Sequence, residues 1–589
     1  MNAGVSYYVD DVNGDDSRTK IQAQNPSTPW KSLTPVNGYF YIGGDSIKFK
    51  CGGVWRGSIK GKGGGGISKK HIVFTSYGTG AKPLFLGSLN KSSVSDWVDE
   101  GNNIWHCKDT THSDVGNVIF TFNNALVFGH KKWQASDLKV QGDFWYDRWN
   151  SYNLKVYSTV NPALKYSGIE LALSRKEYMV SFSGQDYMVV ENLEFKYGGG
   201  YCIKGHQSSN LIFQNLKITY MGGGDMDYAN GFKGSKGQDT SRNIRYGNAI
   251  EFNGNCNNMI VRNNEVGEMY DCGVGCEMYV SNSKMYNLYF YNNIIYNCGL
   301  ASLDFWGRDD SHTSLYNNIH FENNTCYNAG AGWGYEERPD KYGGQVNFSF
   351  TNISNKNIFF QNNIFYNSSA VGSSYPIYFS YVSNVDAAFL KLNNNLVYQE
   401  DSANFIAVFY ADSVKDYIYN QATVAGVAKF KTQTGKDLNS VFANPLVVNP
   451  SGFDFHLLAN SPCINTGITD SITNDFSYNL RSDGYYDIGA YEYSAISVNT
   501  IHPSISLSGM VYPNPISGAA VLQISSGENT AAVITIYDML GQKIWTENVN
   551  LSEGQNQIPL SVNELSNGIY LLVIHSASMQ KSLMVEVFK

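Results

Sequence analysis

The sequence is short of charge and of long hydrophobic runs. Asp, Glu, Lys and Arg make up only 16% of its 589 residues, and 43 basic against 51 acidic side chains give a formal net charge of −8. A nucleic-acid-binding surface, which needs Lys and Arg to neutralise phosphates, is therefore not expected. No stretch reaches the length of about 18 apolar residues that a membrane-spanning helix requires, so no membrane span is predicted.

Cysteine is sparse, and several catalytic motifs are missing. The nine cysteines are odd in number and form no Cys-x-x-Cys pair, which argues against a disulfide framework and a zinc ribbon. The chain has no HExxH zinc motif, no P-loop and no GxSxG nucleophile elbow. No cofactor or metal site is therefore assigned. The first residues lack the parts of a secretory signal, so export has to be argued from elsewhere.

Tyrosine, glycine and asparagine are abundant, and an asparagine motif recurs. The 42 Tyr and 57 Gly in a weakly charged chain favour β structure. The motif reads apolar residue, any residue, Asn, then Asn or Leu, and a Tyr-centred turn follows several copies at spacings of 26 to 39 residues. Short β units at such a period, with Asn at one turn, predict a parallel β-helix whose coils stack through Asn side chains. The first Asn of each copy is Asn192, Asn215, Asn263, Asn292, Asn323, Asn362 or Asn394.

Both ends of this repeat region resemble a known family. Residues 7–10 and 29–56 resemble the N-terminal cap of right-handed parallel β-helix proteins, and residues 442–467 and 487–492 resemble their closing coil. That superfamily contains polysaccharide lyases and glycoside hydrolases. The resemblance implies an all-β, right-handed parallel β-helix that acts on a polysaccharide or oligosaccharide.

The last 80 or so residues carry a second resemblance. The motifs at 512–515, 536–543 and 567–573 look like the type A C-terminal sorting domain of the type IX secretion system. Alternating strands and turn glycines independently predict a small, Ig-like β-sandwich. The resemblance implies the type IX machinery as a partner, export across the outer membrane, and a secreted or cell-surface location.

These patterns divide the chain into four predicted parts. We expect a cap and first coils at 1–114, a β-helix catalytic domain at 115–495, a Ser-rich linker at 496–510 and the sorting domain at 511–589.

Three acids stand out when the coils are aligned on the Tyr turn. Period-two alternation then sends two mostly apolar columns inward and leaves an outward column that contains Glu251, Glu277 and Asp304. Neighbouring coils lie about 4.8 Å apart, so the three carboxylates would be stacked. Paired carboxyl groups about 5 to 9.5 Å apart are the catalytic groups of glycosidases.

Each acid has a predicted role. Glu277, between the other two, would have the highest pKa and act as general acid. Asp304 would be the nucleophile or the base that activates water, and Glu251 would tune Glu277 or bind a sugar hydroxyl. Exposed aromatic rings offer platforms for a sugar, and polar neighbours offer hydrogen bonds. The predicted substrate-binding residues are Lys204, His206, Tyr279, Trp306, Arg308, Asn347, Trp333 and Glu337.

Other interpretations remain open at this point. A polysaccharide lyase acting on a uronate would use Lys204 or His206 as base, with Ca²⁺ held by the same three acids. A non-catalytic glycan-binding protein would use the same surface without chemistry. The acids could also form an ordinary solvated face of the β-helix.

Overall fold

The structure is a computed structural model, and it describes most of the chain. The residues outside the description are 1–3, 65–68, 148–149, 175–177, 226–244, 310, 339–342, 352, 369–377, 381–388, 402–404, 412–413, 421–423, 482–483, 494–507, 513–515, 517, 527–528, 538–542, 562–564, 567, 577–579 and 588–589. The described chain divides into two units, residues 1–493 and 494–589.

The first unit is a right-handed parallel β-helix with three walls, as predicted. From Met188 onward, each coil passes through wall 1, wall 2 and wall 3 in turn. Wall 1 contains Ser6–Val9, Ser46–Lys50, Ile72–Tyr77, Met188–Glu191, Leu211–Gln214, Cys256–Arg262, Lys284–Tyr291, Leu315–Glu322, Ser354–Gln361 and Leu390–Asn393. Wall 2 contains Val54–Arg56, Leu84–Leu86, Glu194–Lys196, Lys217–Met221, Glu265–Met269, Ile294–Cys298, Thr325–Ala329, Ile364–Ser368 and Leu396–Tyr398. Wall 3 contains Val180–Ser181, Ile203–His206, Ile250–Asn253, Cys272–Met278, Ala301–Arg308, Gly344–Thr351, Tyr378–Ser380, Phe405–Ala411 and Val414–Asn420.

The recurring Asn pair forms the corner between wall 1 and wall 2. The first Asn of each pair adopts a left-handed backbone with φ between +50° and +60°, which Asn tolerates better than most residues. The second Asn points inward and donates from Nδ2 to Oδ1 of its counterpart one coil further on, at 2.9 to 3.0 Å. The prediction that Asn side chains bond along the stack is confirmed. We call this row the asparagine ladder; it consists of Asn264, Asn293, Asn324, Asn363 and Asn395.

The first Asn of the pair also fastens a later segment. Asn263 donates to the carbonyl of Asp475 at 3.0 Å, Asn292 to that of Asn474 at 2.6 Å, and Asn394 to that of Thr466 at 3.2 Å. The segment 466–476 therefore runs back along this corner of the coils.

A subdomain is inserted between the third and fourth strands of wall 1. Its four-stranded sheet contains Ser88–Asn90, Gly168–Ser174, Asp114–Phe122 and Ala125–Phe128. Its five-stranded sheet contains Trp97–Asp99, Ile104–Cys107, Leu154–Tyr157, Asp143–Tyr146 and His130–Lys131. They are antiparallel except for the pairing of His130–Lys131 with Asp143–Tyr146, and they enclose their own apolar core. The predicted boundary between 114 and 115 falls inside a strand of this subdomain, while wall 1 already begins at Ser6. The insertion lacks the Asn repeat that marked the coils, so the repeat pattern could not reveal it.

The remaining elements are short. Among the described residues, the helices are Leu33–Gly38, Pro162–Lys165, Gly332–Glu336 and Val424–Thr434, and 3-10 turns occur at Gln22–Gln24, Val94–Asp96, Ala135–Asp137 and Pro450–Gly452. Small pairings join Tyr41–Ile42 to Gly63–Gly64, Gly224–Asp225 to Arg245–Tyr246 and Val447–Asn449 to Asp454–Leu457. Of the helices that the structure describes, none combines the length and the hydropathy needed to cross a bilayer.

The second unit is a small antiparallel β-sandwich, as predicted. One sheet contains Ser508–Tyr512, Ala519–Ser526 and Gly554–Ser561, and the other contains Lys543–Leu551, Thr530–Tyr537, Gly568–Ser576 and Gln580–Val587. Leu522 and Ile524 from the first sheet pack with Ile534 and Leu572 from the second in one buried core. The sandwich begins at Ser508, inside the predicted linker; 496–507 of that linker lie outside the described residues.

We predict that Asn324→Ala lowers the stability of the β-helix. Asn324 accepts from the backbone and side-chain amides of Asn293 and donates to Asn363, so its loss strands buried polar groups on both neighbouring coils. Each stranded group costs about 1 to 3 kcal/mol, so a fall of several degrees in the melting temperature is expected by calorimetry. The control is Asn439→Ala, at an exposed position; an equal effect of both substitutions would contradict a role for the ladder.

Candidate active site

Wall 3 gathers the three predicted acids, but not in one row. Glu251 is paired with Gly275, and Gly275 with Asp304, so these two acids lie on the same row with a glycine between them. Glu277 is paired with Asn253 and Trp306, two residues further along the strand. The prediction of one wall is right, and the prediction of equivalent positions is wrong for Glu277.

Two similar turns explain the error. The alignment matched Tyr270 with Tyr296, whereas Tyr296 is paired with Gly267 within wall 2. Tyr296 and Tyr270 thus occupy different positions in their coils. A shift of two residues along a strand preserves the alternation of inward and outward side chains, so the hydrophobic pattern does not detect it.

Gly275 lets the three acids converge. A Cβ atom at this position would lie 2.2 Å from Glu251 Oε2, so the Glu251 carboxyl group occupies the space above the glycine. From there it shares a hydrogen bond with the Glu277 carboxyl group. Its Oε2 also accepts a hydrogen bond from Asn248 Nδ2 at 2.9 Å. We call Glu251, Glu277 and Asp304 the acid cluster. Its central member is Glu251, not Glu277 as the sequence predicted.

Burial and mutual repulsion keep protons on this cluster. Burial, the Glu251 charge and the hydrogen bond to Glu251 raise the pKa of Glu277 well above its usual value. Burial also raises the pKa of Glu251, against the hydrogen bond from Glu277 and the charge of Lys204. Burial followed by the Glu251 charge raises the pKa of Asp304 to about 7. A contact between two carboxyl groups needs one donor, so at neutral pH Glu277 holds the proton and Glu251 accepts it.

The acids differ in access to solvent. Glu251 is fully buried, whereas Glu277 and Asp304 expose 8% and 7% of their surface. The hydroxyl of Tyr279 donates a hydrogen bond to Glu277 Oε2. Only Glu277 and Asp304 of the cluster can therefore meet a substrate directly.

Lys204 supplies positive charge beside the cluster. It is paired with Glu251 on the neighbouring strand, and its Nζ lies 5.0 Å from the ring centre of Tyr178 and 5.2 Å from that of Tyr201. Burial alone lowers the pKa of Lys204, but Glu251 and the other neighbours raise it above its ordinary value overall. Lys204 is therefore a cation at neutral pH. His206, next but one along the strand, lies with Nδ1 3.2 Å from Asn253 Oδ1.

Two predicted aromatic residues are exposed at the cluster. Tyr279 and Trp306 expose 49% and 41% of their surface, and their ring centres lie 4.9 Å apart. Arg308 is also exposed, two residues beyond Trp306 on the same face. Asn347 is buried beside Asp304 and hydrogen-bonds to it, so it supports an acid rather than offering a free amide to a sugar.

Trp333 and Glu337 occupy different surroundings from those predicted. Trp333 is buried between Phe128 and Tyr270, and its Nε1 donates to the carbonyl of Glu268 at 2.8 Å. Glu337 contacts His130 Nδ1 at 2.6 Å and Arg245 at 3.3 Å. Phe128 and His130 of the inserted subdomain contact Trp333 and Glu337, so both residues connect the subdomain to the coils. The sequence pattern did not reveal this subdomain.

Several residues of the site were missed from the sequence. Asn248 orients Glu251, and Tyr201 lies against Lys204. Arg338 forms an ion pair with Asp271, and both charges act on Asp304. Asn248 lies only three residues before Glu251 in the sequence, which offered a local signal, but the partner of Asp271 lies 67 residues away in the chain. Within the described part of the chain, no three or more His, Cys, Asp or Glu side chains are arranged to hold a metal ion.

Comparison with known families identifies the C-terminal unit. Residues 510–586 match the family model described as a secretion system C-terminal sorting domain. The chain carries a type IX sorting domain. It is therefore exported to the cell surface or the medium, as predicted.

Solved structures show distant likenesses. A complex of XylC with xylose is 10% identical and covers 94% of this chain and 100% of its own, with a TM-score of 0.35. The GH136 lacto-N-biosidase of Eubacterium ramulus is 13% identical, covering 70% of this chain and 66% of its own at a TM-score of 0.33. The alginate lyase of Paenibacillus sp. FPU-7 is 10% identical and covers 63% of this chain and 86% of its own, with a TM-score of 0.30. No curated protein matches the chain significantly.

We predict that Asp304→Asn stabilises the protein in a pH-dependent way. Well below pH 3.8, Asp304 is protonated in both the folded and the unfolded chain. Between the ordinary pKa of 3.8 and the folded value of about 7, the unfolded chain ionises first, so the wild type loses stability as the pH rises. The melting temperature of the variant should exceed that of the wild type by a margin that grows from pH 4 to about 7 and is then constant. A margin that does not change with pH would contradict the burial of this acid.

Proposed function

We propose that the chain is a secreted glycoside hydrolase whose catalytic pair is Glu277 and Asp304. The observation that carries the proposal is the acid cluster, in which one carboxyl group holds a proton at neutral pH and a second, Asp304, has a pKa of about 7. Hydrolysis of a glycosidic bond needs a proton donor and a carboxylate acting as nucleophile or base. The exported location given by the sorting domain fits an extracellular glycan as substrate.

In this proposal each acid has one task. Glu277 donates its proton to the oxygen of the leaving sugar, and ionised Asp304 activates water or attacks the sugar. Glu251 is buried and in hydrogen-bond contact with Glu277, which is closer than the roughly 5 Å that a catalytic carboxyl pair requires. It therefore serves as a positioning residue that holds the proton of Glu277. Tyr279 and Trp306 offer apolar surface to a sugar ring beside the acids.

The charge state of Lys204 favours hydrolysis over elimination. A lyase base must be unprotonated to remove the C5 proton of a uronate, and the surroundings of Lys204 keep it protonated. His206 is the other candidate base of that alternative, and it faces an amide rather than a carboxylate that would orient it. Ca²⁺ bound by the acids would serve a lyase, and its binding would have to displace the proton on Glu277.

We predict that Glu277→Gln lowers kcat about 10²- to 10⁴-fold on the glycan that the protein cleaves, because the amide cannot donate the required proton. The substrate is first found by incubating the protein with plant and algal polysaccharides and following new reducing ends. Glu265→Gln is the matched control, since Glu265 lies on wall 2 in an ion pair with Lys217 and should leave kcat unchanged.

Two outcomes would point away from hydrolysis. Products that absorb in the ultraviolet through an unsaturated end, formed only without a chelator, would identify a lyase. Glycan binding without cleavage, equally strong in the wild type and in Glu277→Gln, would identify a non-catalytic binding protein.

A further inference from the structure

A cavity of about 170 Å³ lies to one side of the acid cluster, where the coils meet the inserted subdomain. The coil side is formed by small residues after strands of wall 2, including Gly57, Ser58 and Gly198. The subdomain contributes Leu89 and Leu173. The backbone at Gly198 packs closely on the coil interior, since a Cβ there would lie 2.3 Å from Met221 Cε.

The volume corresponds to one six-membered ring. A cavity of about 150 Å³ lined by aliphatic side chains holds a benzene molecule, so about 170 Å³ accommodates a single pyranose but not a disaccharide. The Arg56 side chain on its lining is 37% exposed, so the cavity reaches the surface at that point.

The lining combines apolar and polar groups in the way that a neutral sugar requires. Leu89, Leu173 and Met179 offer aliphatic surface to the ring. At the polar edge, Arg56 donates to both oxygens of Glu170 at 2.7 and 2.8 Å, and Ser88 Oγ donates to Glu170 at 2.6 Å. The guanidinium charge is thus already balanced by a carboxylate. A uronate would find this positive charge already neutralised, whereas neutral hydroxyl groups can bond to this edge.

One residue connects the cavity with the acid cluster. Tyr201 lines the cavity, and its ring lies 5.2 Å from Lys204 Nζ. Lys204 is in turn paired with Glu251 on the next strand. Tyr201, itself buried, thus connects the wall of the cavity to the acid cluster through Lys204.

We propose that this cavity binds one neutral sugar at the end of a glycan, so that the enzyme shortens glycans from the chain end. The inference rests on the proposed function where it states that glycans are shortened. Sugar binding in the cavity can be tested without catalysis. It defines the substrate class as a glycan with an uncharged terminal pyranose.

The binding test uses the full chain and saturation-transfer NMR with glucose, galactose, mannose, xylose and N-acetylglucosamine, and glucuronic acid for comparison. Ser58→Leu and Leu89→Trp fill the cavity from opposite sides. Leu126→Trp, at an exposed position of the inserted subdomain, is the control. At least one neutral sugar should bind more tightly than glucuronic acid. Both filling variants, once shown by thermal melting to be folded, should weaken that binding at least tenfold, and the control should not.

The outcomes separate the two proposals. Loss of sugar binding in the filling variants, with no cleavage of any glycan, would support the cavity and count against the hydrolase. Cleavage that yields only long internal fragments, at equal rates in wild type and filling variants, would support the hydrolase and overturn the cavity proposal. Absence of binding by every neutral sugar, or equal binding in the filled variants, would also overturn it. Glu277→Gln should abolish cleavage and retain sugar binding.

Discussion

Parallel pairing between successive coils is the constraint on which the rest of this structure depends. It places equivalent residues of neighbouring coils about 4.8 Å apart and repeats that distance along each wall. Side chains that meet at this distance must be compatible, and the asparagine ladder shows one solution, in which each amide both donates and accepts. The same stacking brings Glu251, Glu277 and Asp304 of three successive coils together on wall 3. A fold that stacks its residues so regularly can concentrate like charges that a looser scaffold would keep apart.

The acid cluster, unlike the asparagine ladder, costs free energy of folding. Where the ladder satisfies every polar atom, the acids repel one another and are stable together only with protons bound and Lys204 beside them. Gly275 is essential to this arrangement, because any side chain there would displace Glu251. The buried Glu251 then fixes Glu277 in a protonated state, while Asp304, on the far side of the glycine, ionises near neutral pH. The absence of a side chain at Gly275 thus gives chemically similar carboxyl groups different pKa values.

The inserted subdomain adds a second set of surfaces to the coils. Its contacts with Trp333 and Glu337 turn two predicted binding residues into structural ones, and its junction with wall 2 leaves the cavity beside Tyr201. In the proposed function, the coils carry the catalytic acids and the insertion forms part of the sugar-binding cavity. The sorting domain forms a separate unit with its own core and serves export rather than the reaction.

The sequence by itself determined the β-helix, the Asn corners, the sorting domain and the wall on which the acids lie, because each leaves a local pattern with a regular period. It could not determine the register of Glu277, since alternation of period two is unchanged by a shift of two residues. It also could not reveal Gly275 as the space for Glu251, the pairing of Arg338 with Asp271, or the cover over Trp333. Those features arise where chain segments far apart in sequence meet, and only the tertiary structure decides which side chains fill the same space.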